Sequence, residues 1–347
     1  MEIKIYNNEL KRKGVIENHT SLIWTRKYFE PGDFELHCPL TEANLNLLVK
    51  GNIVAKEDTV EAGVIESVII TEGSDIKTIV ASGRFMSSYF DRRLIQATYS
   101  FNGKTEIAMR NIVGYINPIP LVVLGTLKGF TETVTFQATM KESLSILTKL
   151  SKSSGIGFRL VPDFVNKALY FEAYKGTDRS VSQSDNNRVI FSEQYDNLNQ
   201  VKYTTNDQIY KTVVVVGGEG EGSARTYVTV GEGTGLELRE IFVDAKDIRS
   251  DDFGSTSEYL NALRQKGYEA LKAHQIVNSF EYETNPDANF IYKKDYDLGD
   301  VVTVRKRDWN VKEDLRITEI QEVYEDGGMT VVPTLGSALP DTVTWED

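Results

Sequence analysis

The chain has 347 residues, 40% hydrophobic and 26% charged, with 17 Tyr and 15 Phe to fill its cores. At ~150 residues per domain this length predicts two to four compact units, and the composition excludes general disorder. Fifty-one Asp and Glu against 39 Lys and Arg give a net charge of −12, which repels phosphate backbones and anionic lipid surfaces.

Met1 to Asn7 alternates apolar and polar residues without the apolar stretch of a signal peptide, so a strand is expected at the outset. Leu22, Trp24 and Tyr28 keep the period of two, and Glu30-Pro31-Gly32-Asp33 places Pro and Gly at the centre of a type II turn. The return strand sends Phe34, Leu36 and Cys38 to one side, so Cys38 reads as a small buried apolar residue. Thr41 to Lys50, stopped by Gly51, predicts a short helix. A second hairpin is expected from Val64 to Thr71, turning at Glu72-Gly73-Ser74-Asp75 and returning through Ile76 to Ala81. After Lys104 the period changes, with Met109, Ile112, Val113 and Ile116 on one helical face before Pro118.

Thr139-Met140-Lys141-Glu142 has the spacing of a capping box and predicts a helix through Leu144, Leu147 and Leu150, ended by Ser151 to Gly155. Phe158 to Tyr174 reads as a hairpin around Pro162 and Asp163. Strands are expected at Gln200 to Thr204 and Tyr210 to Val216, followed by a glycine-rich acidic interruption. Ser255-Thr256-Ser257-Glu258 is a second capping box, opening a helical stripe along Leu260, Leu263, Gly267, Ala270, Leu271 and His274. From Phe280 strands return, with turns at Asn285-Pro286, Leu298-Gly299-Asp300 and Asp326-Gly327-Gly328. This order predicts a mainly β fold with α+β insertions.

No familiar chemistry stands out. Cys38 is the one cysteine, which excludes an internal disulfide and a cysteine-built zinc site. The apolar runs near Ile119 to Leu124 and Val213 to Val216 are far below the ~18 residues of a membrane span, so no stable membrane insertion is expected. Val213 to Gly222 runs a strand into glycines, but the dinucleotide spacing fails and Glu219 and Glu221 would repel phosphate. Asp295 to Asp300 resembles a calcium loop but has Asp300 at the sixth position and Lys306 at the twelfth. His37 and Cys38, being adjacent on a strand, point to opposite sides and cannot clamp one metal. The basic runs Lys11-Arg12-Lys13 and Arg305-Lys306-Arg307 read as solvated faces before anion sites. Trp24-Thr25-Arg26 could serve as a ligand platform, though an aromatic on an alternating strand is more commonly core. No catalytic residue, cofactor or metal is expected from these patterns.

Ser21-Leu22-Ile23-Trp24-Thr25-Arg26, followed by Glu30-Pro31-Gly32-Asp33-Phe34-Glu35-Leu36, resembles the amino-terminal signature of siphophage tail-hub proteins, the structural module at the start of tail-associated lysins. Gly63-Val64-Ile65-Glu66 and Ser82-Gly83-Arg84-Phe85 with Asp91-Arg92-Arg93-Leu94-Ile95 look like the next segment of that family. Tyr296 to Val304 and Arg316 to Ile320 look like its late hairpins. The residues that carry the resemblance are Trp24, Arg26, Pro31, Gly32, Phe34, Gly83, Arg84, Arg92, Arg93, Asp297, Gly299 and Asp300, all at turns and strand cores.

The resemblance implies a fold similar to the baseplate hub of contractile tails, with two related tube-type barrels and two outer domains. The expected division is 1–97 for the first barrel, 98–197 for an outer α+β domain, 198–217 with 276–347 for the second barrel, and 218–275 for an outer insertion with the long helix. It implies a phage- or prophage-encoded homotrimeric ring with an acidic inner surface, closing the tail tube in a virion assembled in the host cytoplasm. The expected partners are the distal tail protein, the tape-measure protein and receptor-binding or fibre proteins, with DNA passing through without specific binding. The chain stops at Asp347, which leaves an appended lysin domain unexpected; a tail-borne hydrolase and a receptor-binding adhesin are the competing readings.

Overall fold

The computed structural model describes residues 1–74, 77–116, 118–283 and 289–336. The expected Asn285-Pro286 turn, Asp75 and Ile76 of the second hairpin turn, and the Ile116 side chain lie outside the described residues. The fold is mainly β. A ten-stranded sheet dominates it, built from β1 (Ser21–Lys27), β2 (Asp33–Pro39), β3 (Ser67–Glu72), β4 (Lys77–Arg84), β5 (Ile190–Ser192), β6 (Asn199–Asn206), β7 (Val277–Glu283), β8 (Val301–Lys306), β9 (Val311–Glu325) and β10 (Gly328–Gly336). Eight strands follow one path in the order β6-β7-β10-β9-β1-β2-β4-β3, and every neighbouring pair is antiparallel. The long strand β9 changes partners along its length: Val311 to Arg316 pairs with β8, and Glu319 onward pairs with β10 and β1.

Period-two patterning decides which face of this path is covered. On the half made of β1 to β4, Leu22, Trp24, Phe34, Leu36, Cys38, Ile79 and Ala81 pack under Ile3, Ile5 and Val54 of a four-stranded sheet. On the other half, Phe280, Tyr282, Ile317, Ile320 and Leu335 pack with Phe191, Tyr296, Val302 and Val304. Each fully buried aliphatic or aromatic side chain contributes roughly 2 kcal/mol relative to exposure. The opposite face carries Ile23, Lys27, Glu35, His37, Val80, Glu281, Glu319, Gln321 and Thr334, and no second layer covers it completely.

The expected short helix is α1 (Glu42–Leu47), with Thr41 as its cap, and Gly51 follows in the left-handed region. The one after Lys104 is α2 (Thr105–Asn111), which continues as a π-helical turn over Ile112–Ile116. The helix expected from Thr139 starts later. Met140 takes a positive φ of 50°, Lys141–Glu142 pairs with Leu94–Ile95, and α3 (Ser143–Ser154) begins with no side-chain cap. That strand pairing claims the backbone a capping box would have used, and Thr139 Oγ1 donates instead to Thr98 Oγ1 at 3.0 Å. The hairpin after it turns at Phe164 to Lys167, leaving Pro162 inside a strand opposite Leu169. Ser255 caps the second expected helix: its Oγ accepts from the Glu258 amide at 3.3 Å, while the Glu258 carboxylate reaches past the cap to accept from the Gly254 amide, ahead of α4 (Thr256–Ala273).

Two further expectations are corrected. Gly32 lacks the positive φ of a type II turn; it is required because a Cβ there would lie 2.1 Å from the Thr25 carbonyl oxygen and 2.7 Å from the Phe85 ring. The strand expected at Tyr210 to Val216 shares no sheet with any strand beyond Phe280 among the described residues. It is Val213–Gly217, the centre of a three-stranded sheet between Tyr227–Gly231 and Glu240–Asp244, covered on one face by α4. Four consecutive valines are apolar on both faces, which suits a central strand with local partners better than a half-exposed one. This strand therefore goes with the 227–244 strands and α4, while β6 remains with the large sheet. None of the helices is long and apolar enough to cross a membrane, among the described residues.

Candidate functional site

The two halves of the sheet meet where β9 pairs with β1, placing Ile320 opposite Arg26, Glu322 opposite Trp24 and Tyr324 opposite Leu22. All of these face the covered side, so a carboxylate and a guanidinium enter an otherwise apolar layer. Arg26, 3% exposed, donates to Glu61 Oε2 at 2.8 Å, Asp297 Oδ1 at 2.6 Å and the Tyr292 hydroxyl at 2.9 Å. Tyr292 in turn donates to Glu322 Oε1 at 2.8 Å, and Tyr324 donates to Glu322 Oε2 at 2.6 Å. Lys56 and Lys293 lie 2.6 and 3.1 Å from the Glu322 carboxylate, and both also pair with Asp58.

The result is one continuous network of three cations and four carboxylates. It ties together β1, the Lys56 to Glu61 segment, the Tyr292 to Asp297 loop and β9, through a direct contact that spans 271 residues of sequence. Burial disfavours the charge on Glu322, but the Lys56 and Lys293 ammonium groups overcome it and hold its pKa below the usual carboxylate range. Burial likewise opposes the charge on Arg26, and Glu61, Tyr292 and Asp297 more than offset it, raising its pKa. Burial raises the Tyr292 hydroxyl, which stays protonated as the bridge. Asp58 is pulled down to about 2, against the effect of burial, by hydrogen bonds from Lys293 and Lys56. The arrangement is suited to locking register between the two halves, because each charged group in it faces at least one of opposite sign.

Of the sequence-singled residues, Arg26 and Asp297 are brought into direct contact here. Trp24 is fully buried, its ring 4.5 Å from Phe85 and 5.9 Å from Phe34, so it is core and offers no ligand platform. Gly83 stands opposite Phe34, and a Cβ on it would lie 1.9 Å from the Val64 carbonyl oxygen. Pro31 precedes Gly32 in the connection whose carbonyl, at Gly32, accepts from the Phe85 amide at 2.7 Å. Gly299, with φ +92°, packs its α-carbon against the Tyr28 ring, and Asp300 accepts from the Thr177 amide at 2.6 Å and Arg179 Nε at 2.9 Å. Arg84 forms a separate, half-exposed cluster with Glu66 and Asp91. Arg92 and Arg93 lie outside both: Arg92 sits 4.3 Å over Tyr89, and Arg93 donates to the Arg92 carbonyl.

Lys56, Glu61, Tyr292 and Glu322 escaped the sequence reading. The available signal was a carboxylate at 322 between Ile320 and Tyr324 on an alternating strand, which demands a buried cation. Cys38 is fully buried, and burial pushes its thiol up to about 12. Among the described residues, no group of three or more His, Cys, Asp and Glu could hold a metal ion.

The second feature is a pair of open edges. β3 and β6 end the eight-strand path, and neither pairs with a further strand among the described residues. On β3, Ile69 is 59% and Ile70 55% exposed, although consecutive residues point to opposite faces. The edge thus projects beyond the layers on both sides.

Residues 2–337 match the family model described as Siphovirus ReqiPepy6 Gp37-like protein. The chain belongs to this siphovirus tail protein family. The family's chain here is also similar in fold to the 43 kDa tail protein of prophage MuSo2 from Shewanella oneidensis, at TM-score 0.61 and 15% identity over 96% of this chain and 98% of that one. It is similar to a tail protein from Neisseria meningitidis MC58, at TM-score 0.60 and 12% identity over 97% and 96%. A chain of the Francisella PdpA-VgrG complex follows at TM-score 0.52 and 10% identity, over 100% of this chain and 54% of that one. No curated protein matches the sequence. The protein is accordingly a phage tail protein of the family, with a fold similar to prophage tail proteins and to a chain of a VgrG complex.

Proposed function

We propose that three copies close into a ring at the tail tip, each donating its eight-strand path to one continuous tube wall. The observation that carries this reading is the parity of the path. Eight strands alternate in direction, so β3 of one copy meets β6 of the next antiparallel, and head-to-tail addition continues the same pattern. Ring closure also removes two open edges that would otherwise invite aggregation. Twenty-four strands at about 4.8 Å spacing give a backbone circumference of about 115 Å and a diameter of about 37 Å, wider once the strands tilt.

The covered face carries the outer layers, so the open face looks into the lumen. There Asp33, Glu35, Glu281 and Glu319 outnumber Lys27, Arg84 and Lys202, a lining that repels a passing double helix. The role is structural: the ring closes the tail tube and joins it to the distal tail, tape-measure and host-binding proteins, without hydrolysing a substrate. Light scattering after size exclusion tests it. Mass should rise with concentration from 39.1 kDa toward three times that value, and Ile70→Lys on the edge should hold it at monomer. A stable dimer, or an Ile70→Lys chain that still trimerises, counts against the ring.

A further inference from the structure

The basic run at 305 to 307 divides between two faces. Lys306 points to Glu193, at 2.7 Å, and Asp308. Arg305, on the opposite face of β8, stands directly across from Lys312 on β9, and on its other side Ser192 of β5 occupies the same row. Paired residues on neighbouring strands share a face, so two cations and a hydroxyl line up side by side. Like charges directly opposite each other destabilise a sheet. Yet in a chain with 51 carboxylates, neither the Arg305 nor the Lys312 side chain has an ion pair or hydrogen bond among the described residues.

A cleft of about 150 Å³ opens over this row, bordered also by Gln194, Tyr195 and Thr303. Ser192 is 1% exposed, and its Oγ accepts from the Gln194 amide at 3.3 Å, which leaves its proton free to donate. Asp314, two residues from Lys312 on the same face, is already engaged by the hydroxyls of Thr303, at 2.5 Å, and Ser182. It does not line the cleft, and both its hydroxyl partners lie beyond the Arg305 row.

We propose that this cleft binds a phosphoryl group. A guanidinium fork takes two oxygens, and an ammonium and a hydroxyl take the rest. Donors arriving from three strands match a tetrahedral oxyanion, whereas a planar carboxylate would leave one of them unused. The cleft is built on β5, β8 and β9, and neither edge strand of the eight-strand path, β3 or β6, contributes a residue to its lining.

The test is titration calorimetry on the full chain at fixed ionic strength, with inorganic phosphate, glycerol 3-phosphate and acetate as probes. Saturable one-to-one binding of phosphate is expected, with no saturation by acetate. Arg305→Gln and Lys312→Gln should each weaken it roughly tenfold, the scale of one charge-assisted hydrogen bond. Arg12→Gln, in the other basic run, should leave it unchanged. Both cations are exposed, and matching melting curves verify that the variants remain folded. Binding of glycerol 3-phosphate at least as tight as phosphate assigns the cleft to phosphate esters, and binding of phosphate alone assigns it to the free ion; both support the proposal. Absence of saturation, equal binding of acetate, or equal weakening by Arg12→Gln overturns it.

Discussion

Replacing Arg26 with Met removes the guanidinium that Glu61 and Asp297 share, and the two carboxylates respond differently. The Glu61 side chain is 5% exposed and is left charged without a partner, whereas the Asp297 side chain is 46% exposed and can turn to water. Breaking a buried pair in this way costs about 3–5 kcal/mol, most of it the penalty on the stranded charge. Arg84→Met breaks a comparable pair with Glu66, but those side chains are 42% and 30% exposed, and the expected cost is about 1 kcal/mol or less. Urea unfolding followed by circular dichroism should show a much larger fall in midpoint for Arg26→Met than for Arg84→Met. Adding Glu61→Leu to Arg26→Met should recover most of the loss, and adding Asp297→Asn should recover little. Equal costs for Arg26→Met and Arg84→Met, or better rescue through Asp297 than through Glu61, would refute the reasoning.

Gly83→Ala drives a Cβ into the Val64 carbonyl oxygen and should cost about 1–3 kcal/mol, while Gly73→Ala, with open space around it, should be neutral in the same denaturation assay. Because Asp58 and Glu322 have folded pKa values below their ordinary ones, both contributions are complete above about pH 4.5; that of Asp58 is lost as pH falls toward about 2, and that of Glu322 as pH falls below the ordinary carboxylate range. The melting temperature should drop over that window, and Lys56→Met should flatten the drop. Cys38 should resist maleimide at pH 8 in the native state and react on unfolding, since burial both hides the thiol and raises its pKa. Ser255→Ala should cost about 1 kcal/mol in thermal melts through loss of the α4 cap.

Local features were legible where one local rule decided them. Alternation placed Trp24, Phe34, Leu36 and Cys38 in a core, and Ser255 with Glu258 opened α4, because these choices depend on neighbours within a few residues. Thr139 to Glu142 obeyed the same capping rule and failed, since pairing with Leu94–Ile95, some 45 residues away, claimed its backbone. Val213 to Val216 read as a strand, but its sheet was set by partners at 227–231 and 240–244 that carry weaker patterns. The Arg26 to Asp297 contact spans 271 residues. Both residues stood out through the family resemblance, yet nothing in their spacing shows that they meet, and Glu322 lacked even that signal.

Cryo-electron microscopy of the purified protein at high concentration, or of a tail that contains it, tests the proposed ring most directly at the junction between copies. The account predicts a closed wall of twenty-four strands in which β3 of each copy hydrogen-bonds antiparallel to β6 of the next, with Glu35, Glu281 and Glu319 facing the lumen. A ring whose β3 and β6 edges stay apart, or whose lumen is lined mainly by Lys and Arg, would contradict it.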